Sequence, residues 1–118
     1  MPITISESVI GSVTVVILKG TLVAGGDIDL LNSTVQALVQ RGVTGIILDL
    51  GEVNYLDSSG IGALIRAYSY AVQNNAAVKL CRLTRRVHDV LQIARLSSAF
   101  EIFNDVEKAA ASFEKKAA

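Results

Sequence analysis

Short segments of strand character alternate with longer segments of helical periodicity along this chain, and this alternation limits the folds that it can adopt. Aliphatic, β-branched or alternating residues predict strands at 3–6, 13–18, 46–50, 78–81 and 100–103. Apolar residues recur three and four positions apart, as on one face of a helix, at 28–39, 61–72, 87–94 and 106–113. The order β-β-α-β-α-β-α-β-α indicates the α/β class.

The links between these segments predict the sheet. The first two strands are separated by 7–12, which is short enough for a hairpin, whereas the later strands are separated by helices and need right-handed crossovers that make them parallel. A length of 118 residues fits one domain. We therefore expect a single domain over 1–118, with one mixed sheet of about five strands covered mainly on one side by about four helices. The tail at 114–118 is expected to be frayed.

Several polar residues and glycines mark where the helices begin and end. Asp27 is expected to cap the first helix or to charge its start, and Gly42 to end it. Thr84 is expected to cap the third helix, and Asn104 or Asp105 to open the fourth. These assignments fix the expected boundaries of three helices.

Charge and cysteine content exclude several kinds of partner. Eleven basic residues balance eleven acidic ones, so the chain has no global field with which to hold nucleic acid. Cys81 is the single cysteine, which excludes an internal disulfide and favours a reduced, cytoplasmic setting. The first residues do not resemble a signal peptide, and the longest aliphatic run is too short to cross a bilayer. We expect a cytoplasmic protein that does not insert into membranes.

The chemistry-bearing residues do not form an enzyme signature. Asp57, Ser58 and His88 supply the residue types of a hydrolase triad, but Ser58 does not lie in a Gly-x-Ser-x-Gly elbow. One histidine and one cysteine cannot make a metal site. The glycines around Ile61 lack the third glycine of a dinucleotide fingerprint. We therefore predict no enzymatic activity, no cofactor and no metal.

The segment 48–62 is the most informative part of the sequence, because it runs from the end of a predicted buried strand, through a predicted loop, into a helix. Asp57, Ser58 and Ser59 can each accept hydrogen bonds from the free N–H groups of that helix. A helix cap alone accounts for one such residue rather than three. Gly60 and Gly62 each cost about 0.5–1 kcal/mol relative to alanine in a helix, which suggests that another backbone approaches closely there.

A serine at a helix start is also a suitable place for a phosphate. The free N–H groups and the helix dipole favour an anion at that end, so the fold would tolerate a phosphoserine. The phosphate would add roughly −1.5 to −2 charges beside Asp57. Phosphorylation could therefore change partner binding without unfolding the domain.

The sequence at 48–50 and 56–62 resembles the signature of the bacterial anti-sigma factor antagonists of the STAS family, and the resemblance extends over nearly the whole chain. It implies that Ser58 is phosphorylated by an anti-sigma factor with serine kinase activity, that Asp57 helps to present it, and that Ser59 is a neighbour. The unphosphorylated antagonist would bind the kinase and free a sigma factor, and a serine phosphatase would reset it. The implied partner surface consists of Asp57, Ser58, Ser59, Gly60, Ile61, Gly62, Gly25, Gly26 and Asp27.

One loop departs from the family pattern. The family often has an acidic residue soon after the glycine that closes the second strand, and here Val23 takes that place after Gly20. Gly25 and Gly26 follow, and then Asp27. Because this loop usually lines the partner surface, the sequence leaves open who the partner is and whether Asp27 replaces the missing acid.

Other roles remain open within the same family. STAS domains also serve as accessory subunits of ABC-type lipid transporters and as scaffold parts of stress-signalling assemblies. The sequence also leaves open a weak homodimer. Arg82, Arg85 and Arg86 form a basic cluster that fits a solvated face, a contact for an acidic partner, or a counter-charge near a phosphate.

Overall fold

The computed structural model describes residues 3–114 and confirms the predicted α/β class. The strands are β1 (Thr4–Ile10), β2 (Val13–Leu22), β3 (Gly45–Leu56), β4 (Ala77–Cys81) and β5 (Ile102–Phe103). The helices are α1 (Gly26–Gln40), α2 (Ser58–Gln73), α3 (Arg85–Ile93) and α4 (Val106–Glu114). None of these helices is long and apolar enough to cross a membrane.

The five strands form one sheet in the order β1-β2-β3-β4-β5. β1 and β2 pair antiparallel, and each later pair is parallel, so the predicted hairpin and crossovers are confirmed. The hairpin is tighter than expected, because β1 extends to Ile10 and leaves only Gly11 and Ser12 as the turn. Gly11 takes a φ of 61°, a conformation that glycine adopts without a steric cost.

Helices cover both faces of the sheet unequally. On one face, buried leucines of α1, α2 and α3, among them Leu31, Leu64 and Leu91, pack with the apolar residues of the central strands. On the other face, Ala109 and Ala110 of α4 pack against a smaller apolar cluster. The sheet therefore has its main core on the three-helix side, as the predicted one-sided cover requires.

The third strand is longer than the sequence predicted. A loop was expected from 51 onward, but β3 continues to Leu56 because its second half pairs with β2. Val53 and Leu56 are buried while Asn54 and Tyr55 are exposed, so the extension is half-buried rather than fully apolar. On its other side β3 loses its neighbour early, since β4 ends opposite Asp49.

The second strand also continues beyond its predicted end. Gly20 was expected to follow this strand, but it lies inside β2, between two irregularities in the register with β3. Its φ is 117°, which favours glycine over residues with a β-carbon. Its neighbours Thr21 and Leu22 then resume pairing with the extended part of β3.

The helix boundaries largely follow the expected caps. The hydroxyl of Thr84 accepts a hydrogen bond from Val87 N–H (3.3 Å), and the carboxylate of Asp105 accepts one from Lys108 N–H (2.7 Å). α1 begins after Gly25, which has a φ of 110° and provides no side-chain cap, so Asp27 does not cap this helix but lies in its first turn and charges its start, as the second of the two expectations had it. The predicted frayed tail lies outside the described residues beyond Glu114, which itself belongs to α4.

Candidate functional site

The carboxyl ends of β2, β3 and β4 lie at the same edge of the sheet because these three strands are parallel. In open α/β sheets, binding surfaces form outside these strand ends. The segments that leave this edge are 23–25, residue 57 and 82–84. They bring the predicted serine, the glycine-containing loop and the arginine cluster to one edge of the domain.

Asp57 joins two of these segments through its carboxylate. Oδ1 accepts a hydrogen bond from Gly60 N–H (3.0 Å), which caps α2, and Oδ2 accepts one from Ala24 N–H (3.3 Å). The N–H of Asp57 in turn donates to the carbonyl oxygen of Leu22 (3.3 Å). The bond from Gly60, assisted by those from Ala24 and Ser59, lowers the pKa of Asp57 below its ordinary value of 3.8 despite partial desolvation. Asp57 is thus a charged cap that also fixes the loop after β2.

Ser58 is the first residue of α2 and is exposed to solvent. No hydrogen bond to its hydroxyl is found among residues 3–114, because Asp57 already provides the cap. Ser59, one position further, is half-buried. Of these adjacent serines, Ser58 is therefore the more accessible to an enzyme that modifies hydroxyl groups.

Gly60 is constrained by this chain itself. It is buried, and a β-carbon at this position would lie 2.3 Å from the carbonyl oxygen of Leu22 and 3.0 Å from Cβ of Leu56. The close backbone that the sequence suggested is therefore the end of β2. Gly62 faces open space apart from the flexible end of Arg66, at 3.3 Å from such a β-carbon. Ile61 is half-buried and packs against the main core.

The loop between β2 and α1 lies beside the start of α2. Gly25 and Gly26 are exposed, and, apart from their chain neighbours and the backbone of α1, no described heavy atom lies within 4 Å of a β-carbon built on either residue. Asp27 is half-buried, and its Oδ1 accepts a hydrogen bond from Ile3 N–H (3.0 Å). This carboxylate therefore ties α1 to the first residue described, and whether it also contacts a partner stays a prediction.

An ion pair beneath the site was not foreseen from the sequence. Asp49, only 5% exposed in the middle of β3, accepts a hydrogen bond from Nε of Arg82 (2.9 Å) and one from Gly51 N–H (3.0 Å). The bond to Asp49 raises the pKa of Arg82 above its ordinary value. A β-carbon on Gly51 would lie 2.3 Å from the guanidinium, so a larger residue there would have to displace the Arg82 side chain from this position. Arg82 therefore serves the fold, with a φ of 58° that turns it over the sheet.

The other two arginines of the cluster have no such role. Arg85 and Arg86 are exposed in the first turn of α3, and no ion pair involving either is found in the described part of the chain. The guanidinium of Arg86 lies 5.9 Å from the ring centre of Tyr55, on the extension of β3 just before Ser58. The arginine cluster thus divides into one structural residue and two that face solvent.

The cysteine and the histidine do not form a reactive site with Ser58. No group of metal-ligating side chains is found among residues 3–114. Burial, with a contribution from Asp49, raises the pKa of Cys81 to about 12, so its thiol is protonated and inert. His88 is exposed on α3, where its Nδ1 lies 3.9 Å from Oδ1 of Asp89. The candidate site is therefore the exposed Ser58 together with Asp57, the charged residue that caps α2.

The fold and the site define a small α/β domain that displays a serine at the edge of a mixed sheet. Residues 4–109 match the model of the STAS domain, and the chain belongs to this family. BtrV of Bordetella bronchiseptica, whose name places it among the anti-sigma factor antagonists, is 31% identical over 84 residues, which are 71% of this chain and 72% of BtrV. An anti-sigma-B factor antagonist of Listeria monocytogenes is 37% identical over 62 residues, 51% of this chain and 54% of that protein.

The solved structures show the same fold. The anti-sigma factor antagonist SpoIIAA in its unphosphorylated form superposes with a TM-score of 0.71 at 17% identity, covering 95% of this chain and 98% of SpoIIAA. The phosphorylated form of SpoIIAA, described as a Bacillus cell fate determinant, gives a TM-score of 0.71 and covers 92% of this chain and 97% of SpoIIAA. The arrangement of sheet and helices is therefore that of the STAS fold.

Proposed function

We propose that this protein is an anti-sigma factor antagonist controlled by phosphorylation of Ser58. In the unphosphorylated state it binds an anti-sigma factor that has serine kinase activity, and this binding releases a sigma factor. The kinase then phosphorylates Ser58 and the complex dissociates. A serine phosphatase restores the binding state.

The exposure of the Ser58 hydroxyl at the amino end of α2 is the observation that carries this proposal. A kinase must reach the acceptor oxygen, and Ser58 meets this condition better than the half-buried Ser59. The relatives named as anti-sigma factor antagonists support the pathway. SpoIIAA, which shares the fold, exists in phosphorylated and unphosphorylated forms.

A phosphate on Ser58 would change the surface while leaving the fold intact. The amino end of α2 is electropositive and tolerates an anion, so the phosphorylated helix start remains stable. The added charge, roughly −1.5 to −2, would lie next to the ionised Asp57. A mismatched charge at a binding interface costs several kcal/mol, and about 1.4 kcal/mol is a tenfold change in affinity. Phosphorylation would therefore weaken binding by about a hundredfold or more.

Asp57 would act as a positioning residue in this switch. Its two oxygens hold the start of α2 and the loop at Ala24 in one arrangement. The exposed Gly25 lies in the same loop and the exposed Gly26 begins α1, so that a partner could contact both glycines and Ser58 together. Replacing Asp57 would therefore loosen both the start of α2 and the loop after β2.

Capture of partners from lysate of the native host tests the proposal. Tagged wild-type protein, Ser58→Ala and Ser58→Asp are compared by quantitative mass spectrometry, with Ser59→Ala and Ser59→Asp as matched controls. We expect Ser58→Ala to retain a protein with serine kinase activity and Ser58→Asp to lose it, while Ser59→Ala behaves like wild type and Ser59→Asp weakens capture less than Ser58→Asp does.

Three other outcomes would contradict the proposed function. If Ser58→Ala and Ser58→Asp both capture the ATPase or permease of a transporter, the chain is an accessory subunit and Ser58 is not a switch. If no variant retains a kinase, the sigma pathway is wrong. If Ser59→Asp loses the kinase and Ser58→Asp does not, the acceptor has been misassigned.

A further inference from the structure

Beyond the end of β4, one side of β3 has no paired strand among the described residues over the part that leads to Ser58. β4 ends opposite Asp49, whereas β3 continues over 50–56. The segment that leaves β4 runs beside this extension, and the hydroxyl of Thr84 donates a hydrogen bond to the carbonyl oxygen of Val53 (3.0 Å). The amino end of α3 is thereby held against the strand that leads into Ser58.

This contact places two arginines at the same sheet edge as Ser58. Cations in the first turn of a helix oppose the helix dipole and typically reduce helix stability. Arg85 and Arg86 lie in this unfavourable position, and no ion pair found among residues 3–114 compensates them. No carboxylate of the described residues pairs with either arginine, in contrast to Arg82, which pairs with Asp49, and Arg86 contacts the ring of Tyr55. Their placement is therefore better explained by a binding partner.

Tyr55 connects Arg86 with the strand that leads into Ser58. Its side chain is 44% exposed, although it lies three positions before Ser58 on the extension of β3. The guanidinium of Arg86 lies over its ring, at 5.9 Å from the centre. Exposed tyrosine and arginine side chains are the types that contribute most often to binding energy in protein interfaces. Such a pair next to a modifiable serine has the composition of a docking site.

We propose that Tyr55, Arg85 and Arg86 form a basic docking surface that binds an acidic segment of the same protein partner whose binding Ser58 controls. This inference rests on the proposed function for the identity of the partner, but not for the chemistry of the surface. The arginines attract the acidic segment, and Tyr55 contributes apolar contact area. A phosphate on Ser58 places negative charge at the same edge, so it repels the segment that this basic surface attracts.

An acidic protein fits this surface better than the other polyanions. The chain carries 11 basic and 11 acidic residues, so it has no extended positive field of the kind that holds nucleic acid or an anionic membrane. Acidic side chains also limit the positive charge: Asp89 lies one turn further along α3, and Glu52, on the extension of β3, pairs with Lys19 (3.5 Å). These acids restrict the positive surface to a small area suited to a few carboxylates.

An NMR titration with a synthetic peptide of six glutamates tests the chemistry of the surface without the partner. We expect salt-sensitive shifts of the amides of Tyr55, Arg85 and Arg86, and their loss in the variant Arg85→Glu/Arg86→Glu. The variant Arg41→Glu/Lys108→Glu makes the same change of charge elsewhere and should retain them. A peptide that binds elsewhere or not at all, or tighter binding by a single-stranded oligonucleotide or by phosphatidylglycerol vesicles, would overturn the proposal.

A second measurement uses the partner captured by Ser58→Ala, purified and titrated against the same two double variants in the Ser58→Ala background. We expect Arg85→Glu/Arg86→Glu to weaken binding at least tenfold, mainly through a slower association rate, and the control to stay within twofold of its parent. Equal affinities for both double variants would overturn the docking surface while Ser58 control could still stand. A partner indifferent to Ser58→Asp but sensitive to the arginines would instead separate the docking surface from the phosphoswitch.

Discussion

Gly60 and Leu22 are in backbone contact: a β-carbon on Gly60 would lie 2.3 Å from the carbonyl oxygen of Leu22. The same carbonyl oxygen accepts a hydrogen bond from the N–H of Asp57 (3.3 Å). The end of β2 and the first turn of α2 are therefore locked together directly beneath Ser58. The glycine after the two serines is required by this internal contact, whatever a partner contributes.

Alanine substitutions at the two glycines of α2 should have opposite effects. Gly60→Ala forces a β-carbon against rigid backbone and should lower the free energy of unfolding by about 1–3 kcal/mol. Gly62→Ala meets only the flexible end of Arg66 and should raise it by about 0.5–1 kcal/mol through helix propensity. Urea unfolding followed by circular dichroism measures both. Equal effects of the two substitutions would contradict the contact with Leu22.

The lowered pKa of Asp57 predicts how stability depends on pH. Because the folded state holds the carboxylate in its charged form, the wild type gains stability from this group above its ordinary pKa of 3.8 and loses it as pH falls through the lower folded value. Asp57→Asn has no charge to titrate, so the difference in unfolding free energy between the two proteins should narrow below about pH 3.8. Denaturant unfolding between roughly pH 2.5 and pH 6, a range over which the Asp57 carboxyl passes from protonated to ionised, measures this difference in unfolding free energy. A difference that stays constant with pH would contradict the cap geometry.

Removing the arginine partner of Asp49 should destabilise the sheet. Arg82→Met leaves a buried carboxylate with only the N–H of Gly51 and should cost about 1.5–3 kcal/mol. In Asp49→Asn/Arg82→Met the buried charge is gone, so the double variant should lose less than the sum of the single losses. Chemical denaturation of the four proteins gives this coupling energy. Additive losses would show that the two side chains act independently.

Cys81 should report on unfolding. A pKa of about 12 in place of the ordinary 9.0 leaves about a thousandfold less thiolate in the native protein, and burial excludes reagent as well. Ellman's reagent at pH 8 should therefore react slowly with the folded chain and rapidly in guanidinium chloride. Rapid reaction under native conditions would contradict the burial of this β4 thiol in the apolar cluster beneath α4.

The order of elements and several helix caps could be predicted from the sequence because they depend on local chemistry. Periodicity identified each helix, and Thr84 was recognised as a cap because a hydroxyl before an apolar stripe accepts free N–H groups. Asp105 was one of two candidates, with Asn104, for the start of the fourth helix. The start of α2 next to Ser58 followed from the same reasoning. These interactions span at most a few positions along the chain.

The features that were missed depend on contacts between distant residues. Arg82 and Asp49 lie 33 positions apart, and only a charged residue within the aliphatic run at 46–50 hinted that a buried partner was needed. The extension of β3 was assigned to a loop because its residues are half polar, and they form a strand only because β2 pairs with them. The internal role of Gly60 likewise requires the position of Leu22.

The most direct test of Ser58 as the switch is to titrate the purified kinase partner with the protein in two forms. The protein is isolated from the native host, its phosphorylation site is mapped by tandem mass spectrometry, and each form is titrated by calorimetry. We expect phosphate on Ser58 and not on Ser59, and binding about a hundredfold weaker in the phosphorylated form. Phosphate on another residue, or equal affinity of the two forms, would contradict this expectation.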